Sequence, residues 1–123
     1  MTNNNTILNL FEKWNHAIQT HDPDEVVKLY DKNAILLPTL SGQVRHTHDE
    51  IKEYFIHFLS KKPVGSINEF NIRIFDNLAI NSGIYTFAFE DGSLTQARFT
   101  YVYKKIEEIN DWIIVEHHSS LLP

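Results

Sequence analysis

The sequence predicts an α+β fold, with helices in the first half of the chain and an antiparallel sheet in the second. Apolar residues recur at helical spacing up to Leu59, and from Ile67 onward apolar and polar residues alternate with a period of two. Helices that precede strands in this way are typical of the α+β class. A chain of 123 residues has the length of one domain, so we expect a single domain over residues 1–123.

Three helices are predicted before residue 60. The first has apolar side chains at steps of four, three and four residues, which places them on one face: Ile7, Phe11, Trp14 and Ile18. The second begins at Asp22-Pro23, because aspartate caps free backbone amides and proline suits the first helical position. The third follows the capping box Thr47-His48-Asp49-Glu50 and has apolar residues at i, i+3, i+4, i+7 and i+8 counted from Ile51.

Two short and four long strands are predicted. The short ones are residues 34–37 and 43–45, on either side of a turn at Leu40-Ser41-Gly42. The long ones are residues 67–75, 79–90, 94–105 and 112–119. Short turns join the long strands, and Asp91-Gly92 is a strong hairpin signal among them. We therefore expect a twisted antiparallel meander.

Charge and composition exclude several classes of protein. Eleven Lys and Arg against sixteen Asp and Glu give a formal net charge of −5, which argues against binding to nucleic acid or to anionic membranes. The chain has no cysteine, which excludes disulfides, Cys-ligated metal sites and thiol nucleophiles. It shows no leader peptide and no apolar run of the ~20 residues that a membrane span needs. We therefore expect a cytoplasmic protein.

Motifs for cofactors and metals are missing from the sequence. There is no Gly-rich phosphate loop and no His-Glu-x-x-His motif, so neither a cofactor nor a metal is predicted. His46 and His48 have the spacing of metal ligands but no third ligand nearby. His117 and His118 are neighbours on a strand, so they point to opposite faces and cannot hold one metal together. One of these two is expected to enter a cavity, and the other to face solvent or a second subunit.

Strict alternation assigns the side chains of the long strands to two faces. The aromatic sets share one face, which we expect to lie under the helices: Tyr85, Phe87, Phe89, Phe99, Tyr101 and Tyr103. In the last strand, alternation groups Glu116 and His118 with Ile114, opposite His117 and Ser119. Three helices cannot cover four long strands evenly, so we expect a cavity near one end of the sheet.

Several residues have two interpretations each. Arg45 and Arg98 need a partner beside a half-buried sheet, either an anionic ligand or a glutamate in a structural ion pair. The glutamates considered for that ion pair are Glu69, Glu90 and Glu116. Tyr85 and Tyr101 either pack in the core or offer their hydroxyl groups to a ligand. The sequence alone leaves these alternatives open.

A series of short segments spans nearly the whole chain: His21-Asp22-Pro23-Asp24, Ala34-Ile35-Leu36-Leu37-Pro38, Tyr54-Phe55, Gly83-Ile84-Tyr85-Thr86-Phe87, Ala97-Arg98-Phe99-Thr100-Tyr101-Val102-Tyr103 and residues 112–120. In this order they resemble the nuclear-transport-factor-2-like (SnoaL-like) superfamily. They are most similar to bacterial relatives of the association, or hub, domain of calcium/calmodulin-dependent protein kinase II. The resemblance implies a cystatin-like cone of curved antiparallel sheet packed on three N-terminal helices. It also implies a deep pocket and a homodimer formed through the sheet, and in the kinase hub such dimers assemble into rings.

The resemblance also bears on individual pocket residues. Two arginines that line the pocket of the kinase hub, where small carboxylates are accepted, fall on Tyr85 and Tyr101 of this sequence. The terminal His-x-His of the hub falls on Glu116 and His118, so of the two histidines only His118 is kept. Kinase activity is not expected, because no kinase domain is present.

These observations lead to three functional hypotheses. The first is a homodimeric protein that binds a small carboxylate or aromatic compound. The second is a cofactor-independent isomerase, dehydratase or cyclase, with His118 as base and Tyr101 or Arg98 as electrophile. The third is an oligomerisation module with a vestigial pocket. The expected ligand-binding residues are Trp14, Tyr30, Arg45, Phe55, Phe58, Tyr85, Arg98, Tyr101, Glu116 and His118.

Overall fold

The computed structural model describes residues 2–123. Its helices are α1 (Asn4–Ile18), α2 (Pro23–Val27) and α3 (His48–Leu59). Its strands are β1 (Tyr30–Leu37), β2 (Val64–Phe75), β3 (Leu78–Ala88), β4 (Leu94–Ile106) and β5 (Asp111–Leu121), with a 3-10 turn at Glu107–Ile109. The predicted α+β class is confirmed, and so are the three helices and the four long strands.

The strands form one curved sheet in the order β1-β5-β4-β3-β2. Strands β2 to β5 are the predicted antiparallel meander. Strand β1 pairs in parallel with β5 and so extends the sheet at that edge. The prediction of a second short strand at residues 43–45 is wrong, since only Arg45 pairs there, in a single bridge with Leu36. The chain between the turn and α3 is too short to form a longer ladder.

The predicted capping residues begin α2 and α3. Asp22 accepts the backbone N–H of Asp24 at 3.0 Å, and the Thr47 hydroxyl accepts the N–H of Glu50 at 3.1 Å. The Glu50 carboxylate accepts the N–H of His46 at 2.7 Å, one residue earlier than the capping box predicted. Both caps fix where their helices start above the sheet.

The three helices cover one face of the sheet, and aromatic rings fill the space between. The ring of Trp14 in α1 lies 5.8 Å from that of Tyr101 and 5.9 Å from that of Phe87. Tyr30 and Phe55 are also fully buried. Burying one such side chain stabilises the fold by roughly 1.5–3 kcal/mol, so this aromatic core also holds the helices in place over the sheet.

A bulge in β5 interrupts the alternation of its side chains. Ile114 and Glu116 pair with consecutive residues of β4, which leaves Val115 as an extra residue. Consequently Ile114 and His117 are both buried under the helices, whereas Glu116 and His118 are exposed on the other face. The predicted grouping of Glu116 and His118 with Ile114 is therefore wrong.

A buried asparagine attaches α1 to the start of the edge strand β2. The Asn15 side chain donates from Nδ2 to the carbonyl of Gly65 at 2.9 Å and accepts the Gly65 N–H at Oδ1 at 2.8 Å. An amide side chain thus takes the place of a neighbouring strand. The close approach needs glycine, because a Cβ on Gly65 would lie 3.1 Å from Asn15 Oδ1 and 3.1 Å from the Phe87 ring.

Replacing Asn15 by alanine is expected to lower the free energy of unfolding by about 2–4 kcal/mol, because two buried backbone groups of Gly65 lose their partners at about 1–3 kcal/mol each. Urea unfolding followed by circular dichroism measures the change. His16→Ala, at the exposed neighbouring position of the same helix, is the matched control and should stay within about 0.5 kcal/mol of the parent. Equal stabilities of the two variants would contradict the role of the amide.

Candidate functional site

One cavity opens between α3, the turn after β1 and the helix-facing side of the sheet. Its wall is largely aromatic, with Phe55 and Phe58 from α3 facing Tyr85, Phe87 and Phe89 from β3 and the turn that follows it. Its polar lining residues are Thr39, Thr95, His117 and Ser119, together with the tyrosines Tyr54 and Tyr85. The free space inside is about 30 Å³, room for about two water molecules. A ligand larger than this must displace side chains at the mouth.

Six of the ten expected ligand-binding residues lie in or directly behind this cavity. Trp14, Phe55, Phe58 and Tyr85 line it. Tyr30 and Tyr101 form the layer behind the lining: Tyr30 hydrogen-bonds to His117, and the Tyr101 ring stacks on the His117 ring with centroids 4.0 Å apart. Within residues 2–123 the Tyr101 hydroxyl has no hydrogen-bond partner, so Tyr101 contributes its ring.

Three expected residues lie on the opposite face of the sheet. Arg98, Glu116 and His118 are all exposed there, so their placement in the cavity is corrected. The bulge at Val115 accounts for Glu116 and His118. For Arg98 the alternation already indicated the face opposite Tyr101, and the structure follows the alternation.

Arg45 has a structural partner. Its guanidinium donates from Nη1 to the Glu53 carboxylate at 3.0 Å and to the backbone carbonyl of Glu50 at 3.2 Å. The side chain is only 8% exposed, and it lines a shallow groove beside the cavity mouth. Of the two interpretations of Arg45, the structure shows the ion pair, with Glu53 in place of the glutamates considered from the sequence. A role of Arg45 in binding an anionic ligand stays a prediction.

The cavity histidine is His117, and it belongs to a continuous chain of hydrogen bonds. The indole N–H of Trp14 donates to the Tyr30 hydroxyl at 3.1 Å, and this hydroxyl lies 2.8 Å from His117 Nδ1. His117 Nε2 lies 3.2 Å from the Tyr85 hydroxyl, which donates to the Ser119 hydroxyl at 2.6 Å. The Ser119 hydroxyl is also hydrogen-bonded to that of Thr39. The chain thus runs from the core under α1 to the polar end of the cavity.

Trp14 sets the direction of this chain. An indole nitrogen can only donate, so the Tyr30 oxygen accepts from Trp14. The Tyr30 hydrogen must then go to His117 Nδ1, because the alternative would leave a buried hydroxyl hydrogen without an acceptor. We therefore assign the proton of the neutral imidazole to Nε2, which donates to Tyr85. The basic nitrogen of His117 faces Tyr30, away from the cavity.

Burial keeps the side chains of this hydrogen-bond chain uncharged. Loss of water lowers the pKa of His117 to about 3, with a smaller contribution from the positive charge of His118. Burial likewise raises the pKa values of Tyr30, Tyr85 and Tyr101 well above the ordinary phenol value. At neutral pH the chain therefore consists of neutral donors and acceptors.

Stability is expected to fall as the pH drops below the pKa that His117 has in the unfolded chain. In the unfolded chain His117 binds a proton near pH 6.5, whereas in the folded protein its pKa is about 3. Between these values the unfolded state binds more protons, so the free energy of unfolding decreases as pH falls, by about 2 kcal/mol from pH 7 to pH 5. Urea unfolding at both values measures the difference. His118→Gln should keep this pH dependence, and a stability that does not change between pH 7 and 5 would contradict it.

The arrangement favours binding over proton transfer. Among residues 2–123 the cavity is lined by hydroxyl groups and one imidazole, and the unprotonated nitrogen of that imidazole, His117 Nδ1, is occupied by Tyr30. Within residues 2–123 no group of three His, Asp or Glu side chains is placed to hold a metal ion. None of the helices in that range has the length and apolar character required to cross a membrane.

The sequence contained one signal that His117, rather than His118, faces the cavity. Residues 112–115 are four consecutive apolar residues, Trp112-Ile113-Ile114-Val115, which breaks the alternation that the rest of β5 follows. A bulge at that point moves His117 and Ser119 to the face of Ile114. Thr39 had no such signal, because it lies in the turn after β1.

Comparisons with known proteins agree on the fold and the family. The family model of the calcium/calmodulin dependent protein kinase II association domain matches residues 3–123. A comparison with curated proteins finds no match. Among solved structures, one similar protein comes from Xanthomonas campestris and is described as a candidate association domain of that kinase. It is 42% identical to this chain, with a TM-score of 0.89. The match covers 95% of this chain and 86% of that one.

More distant structures share the fold alone. A cystatin-like protein from Caulobacter vibrioides is 16% identical, with a TM-score of 0.79, over 97% of this chain and 89% of that one. A candidate ketosteroid isomerase from Parabacteroides distasonis is 17% identical, with a TM-score of 0.75. The match covers 94% of this chain and 85% of that one. The predicted cystatin-like, nuclear-transport-factor-2-like fold is thereby confirmed. Since the family model covers nearly the whole chain, the protein belongs to the calcium/calmodulin dependent protein kinase II association domain family.

Proposed function

We propose that this protein binds a small aromatic molecule in the cavity between α3 and the sheet. The observation that supports this is the lining: the rings of Phe55, Phe58 and Phe87 surround a polar end made of uncharged hydroxyl groups. Aromatic walls with a few placed polar groups are typical of small-molecule sites. Burial of an aromatic ring against such walls supplies the main free energy of binding.

Charge distinguishes an aromatic ligand from the small carboxylate also considered. None of the cavity-lining residues within the described range 2–123 is a lysine or arginine, and Arg45 beside the mouth is paired with Glu53. A carboxylate in the cavity would lose its water without gaining a counter-ion. The tyrosines at the two positions of the hub arginines are consistent with a ligand that needs no counter-ion.

An isomerase, dehydratase or cyclase with His118 as base lacks support. His118 is on the exposed face of the sheet, and the basic nitrogen of the cavity histidine is occupied by Tyr30. The likeness to a candidate ketosteroid isomerase is a likeness of fold, and a fold hosts many unrelated functions.

Titration with toluene, followed by the backbone amide signals of the protein, tests binding in the cavity. We expect saturable shifts at residues around Phe58, Phe87 and Ala97 and at the mouth, where side chains must move to admit the ring. Thr95→Phe places a ring at the cavity lining and should abolish these shifts. Gln96→Phe adds the same ring at the next residue, on the exposed face of the sheet. It should leave the shifts unchanged. Absence of saturable shifts at the cavity in the parent protein would contradict the proposal.

We further propose that the protein is a homodimer formed through the face of the sheet opposite the helices. That face carries the partly exposed apolar side chains of Ile80, Ile84 and Val102 beside the charges of Arg98 and Glu116. A two-fold axis presents the same patch twice, so that Arg98 of one copy can meet Glu116 of the other. Sedimentation equilibrium should give about twice the chain mass of 14.4 kDa.

Two variants test the proposed surface. Val102→Lys, in the centre of the sheet face, should shift the protein to monomer. Leu40→Lys, at the cavity mouth, should leave the mass unchanged. A parent protein that sediments as a monomer at all concentrations would contradict the dimer, and a mass several times larger would extend the proposal to a ring.

A further inference from the structure

The polar end of the cavity has one hydroxyl hydrogen too many. Tyr85 donates to Ser119, and the hydroxyls of Ser119 and Thr39 are hydrogen-bonded to each other. If Thr39 donates, the Ser119 hydrogen is left over, and if Ser119 donates, the Thr39 hydrogen is left over. Within residues 2–123 neither hydroxyl has another acceptor. Both residues line the cavity, so in either case the unused donor belongs to the site.

This surplus hydrogen follows from the direction in which the hydrogen bonds run, from Trp14 toward the cavity. Trp14 begins the series with a group that can only donate, and each later member, Tyr30, His117 and Tyr85, passes one hydrogen toward the cavity. The last hydrogen is therefore left for water or for a ligand that enters the cavity, since Thr39 is only partly buried. A ligand that excludes water from this hydroxyl without accepting its hydrogen leaves a donor unpaired, at a cost of about 1–3 kcal/mol.

We propose that the cavity selects a neutral aromatic compound that carries a hydrogen-bond acceptor, such as an aryl ketone or aldehyde. The acceptor oxygen takes the remaining hydrogen of the Ser119–Thr39 pair while the ring lies among Phe55, Phe58 and Phe87. This inference rests on the proposed binding function and names the class of ligand. A hydrocarbon of the same shape leaves the hydroxyl unpaired, and a carboxylate of the same shape adds a charge that has no counter-ion in the lining.

Three compounds of nearly equal shape separate these cases: acetophenone, α-methylstyrene and benzoate. The first is a neutral acceptor, the second replaces its carbonyl oxygen with a CH₂ group, and the third replaces its methyl group with a charged oxygen. Titration at pH 7, followed by amide signals around the cavity, gives each dissociation constant. We expect acetophenone to bind about 3- to 10-fold more tightly than α-methylstyrene, the ratio that one net hydrogen bond supplies. We expect benzoate to bind more weakly than both.

Failure of the proposed function and failure of this inference give different results. If neither neutral compound causes saturable shifts at the cavity, binding itself is wrong. If both bind but acetophenone has no advantage, or if benzoate binds as tightly as acetophenone, the acceptor inference is overturned. Thr39→Val should retain the advantage of acetophenone, because the remaining hydrogen is then that of Ser119.

The direction in which hydrogens are donated along the hydrogen-bond chain can be measured without a ligand. Long-range nitrogen–proton correlation spectra of a histidine ring distinguish a protonated nitrogen from an unprotonated one. We expect His117 in the parent protein to be protonated at Nε2 and unprotonated at Nδ1. Protonation at Nδ1 would reverse the chain and overturn the inference.

Discussion

Replacing Gly83 by alanine is expected to lower the free energy of unfolding by about 3–5 kcal/mol, in the range of severe overpacking. Gly83 in β3 pairs with Phe70 of β2, next to a bulge in β2 where the register shifts between Ile67 and Glu69. A Cβ on Gly83 would overlap the backbone carbonyl oxygen of Glu69, and it would lie 2.7 Å from the Glu69 carbonyl carbon and 3.2 Å from the Phe70 Cα. Backbone atoms in a paired strand cannot move aside as a flexible side chain does, so β2 must shift.

Gly42 provides the matched control for this substitution. It lies in an exposed turn where an added Cβ would have no heavy atom within 4 Å, and its φ lies outside the left-handed region. Gly42→Ala should therefore change stability by less than about 1 kcal/mol. Urea unfolding of both variants measures the difference, and a Gly83→Ala protein as stable as Gly42→Ala would show that β2 adapts to the added methyl group.

Bulges also mark the limit of what this sequence predicted. Periodicity correctly placed three helices and four long strands, and it correctly placed the aromatic residues of β3 and β4 on the helix-facing side. A strand pattern with a period of two contains no information about an extra residue unless that residue interrupts the pattern. In β5 the extra Val115 exchanges the faces of all residues after it. Glu116 and His118, which the resemblance placed in the pocket, therefore lie on the exposed face, and His117 lines the cavity.

The candidate site was predictable in its walls and less so in its polar end. Trp14, Phe55, Phe58 and Tyr85 follow from helical spacing and strand alternation, because large apolar side chains on an inward face have few other places to go. Thr39 and Ser119 meet only because the turn after β1 comes close to the end of β5, 80 residues later in the chain. Contacts of that kind depend on the three-dimensional path of loops, and short-range patterns do not encode them.

The partner of Arg45 shows the same limit. A half-buried arginine requires a counter-charge, and the sequence offered sixteen Asp and Glu without ranking them. The structure pairs Arg45 with Glu53, two turns into α3 and eight residues away. The arginine thereby ties the turn at the cavity mouth to the helix that forms the cavity wall, so its effect on the cavity is indirect.

Replacing His117 by leucine is expected to lower the free energy of unfolding at pH 7 by about 3 kcal/mol. Leucine fills a similar volume but neither accepts the hydrogen of Tyr30 nor donates to Tyr85, and each buried group left unpaired costs about 1–3 kcal/mol. The cost should become smaller as pH falls. The parent protein loses about 2 kcal/mol between pH 7 and pH 5 because the unfolded state takes up a proton at His117, whereas the variant has no such group. At pH 5 the difference between the two should therefore shrink to about 1 kcal/mol.

The narrowing of this difference separates a histidine that burial keeps neutral from one that takes up a proton as readily in the folded protein as in the unfolded chain. A histidine of the second kind predicts the same cost of the substitution at both pH values, because folded and unfolded states would then bind the same number of protons. His118→Leu, on the exposed face one residue later, should lie within about 0.5 kcal/mol of the parent protein at pH 7 and retain its pH dependence. If His117→Leu is as destabilising at pH 5 as at pH 7, then His117 is not held neutral by burial. The direction assigned to the hydrogen-bond chain would then lose its basis, since a protonated imidazole donates from both nitrogens.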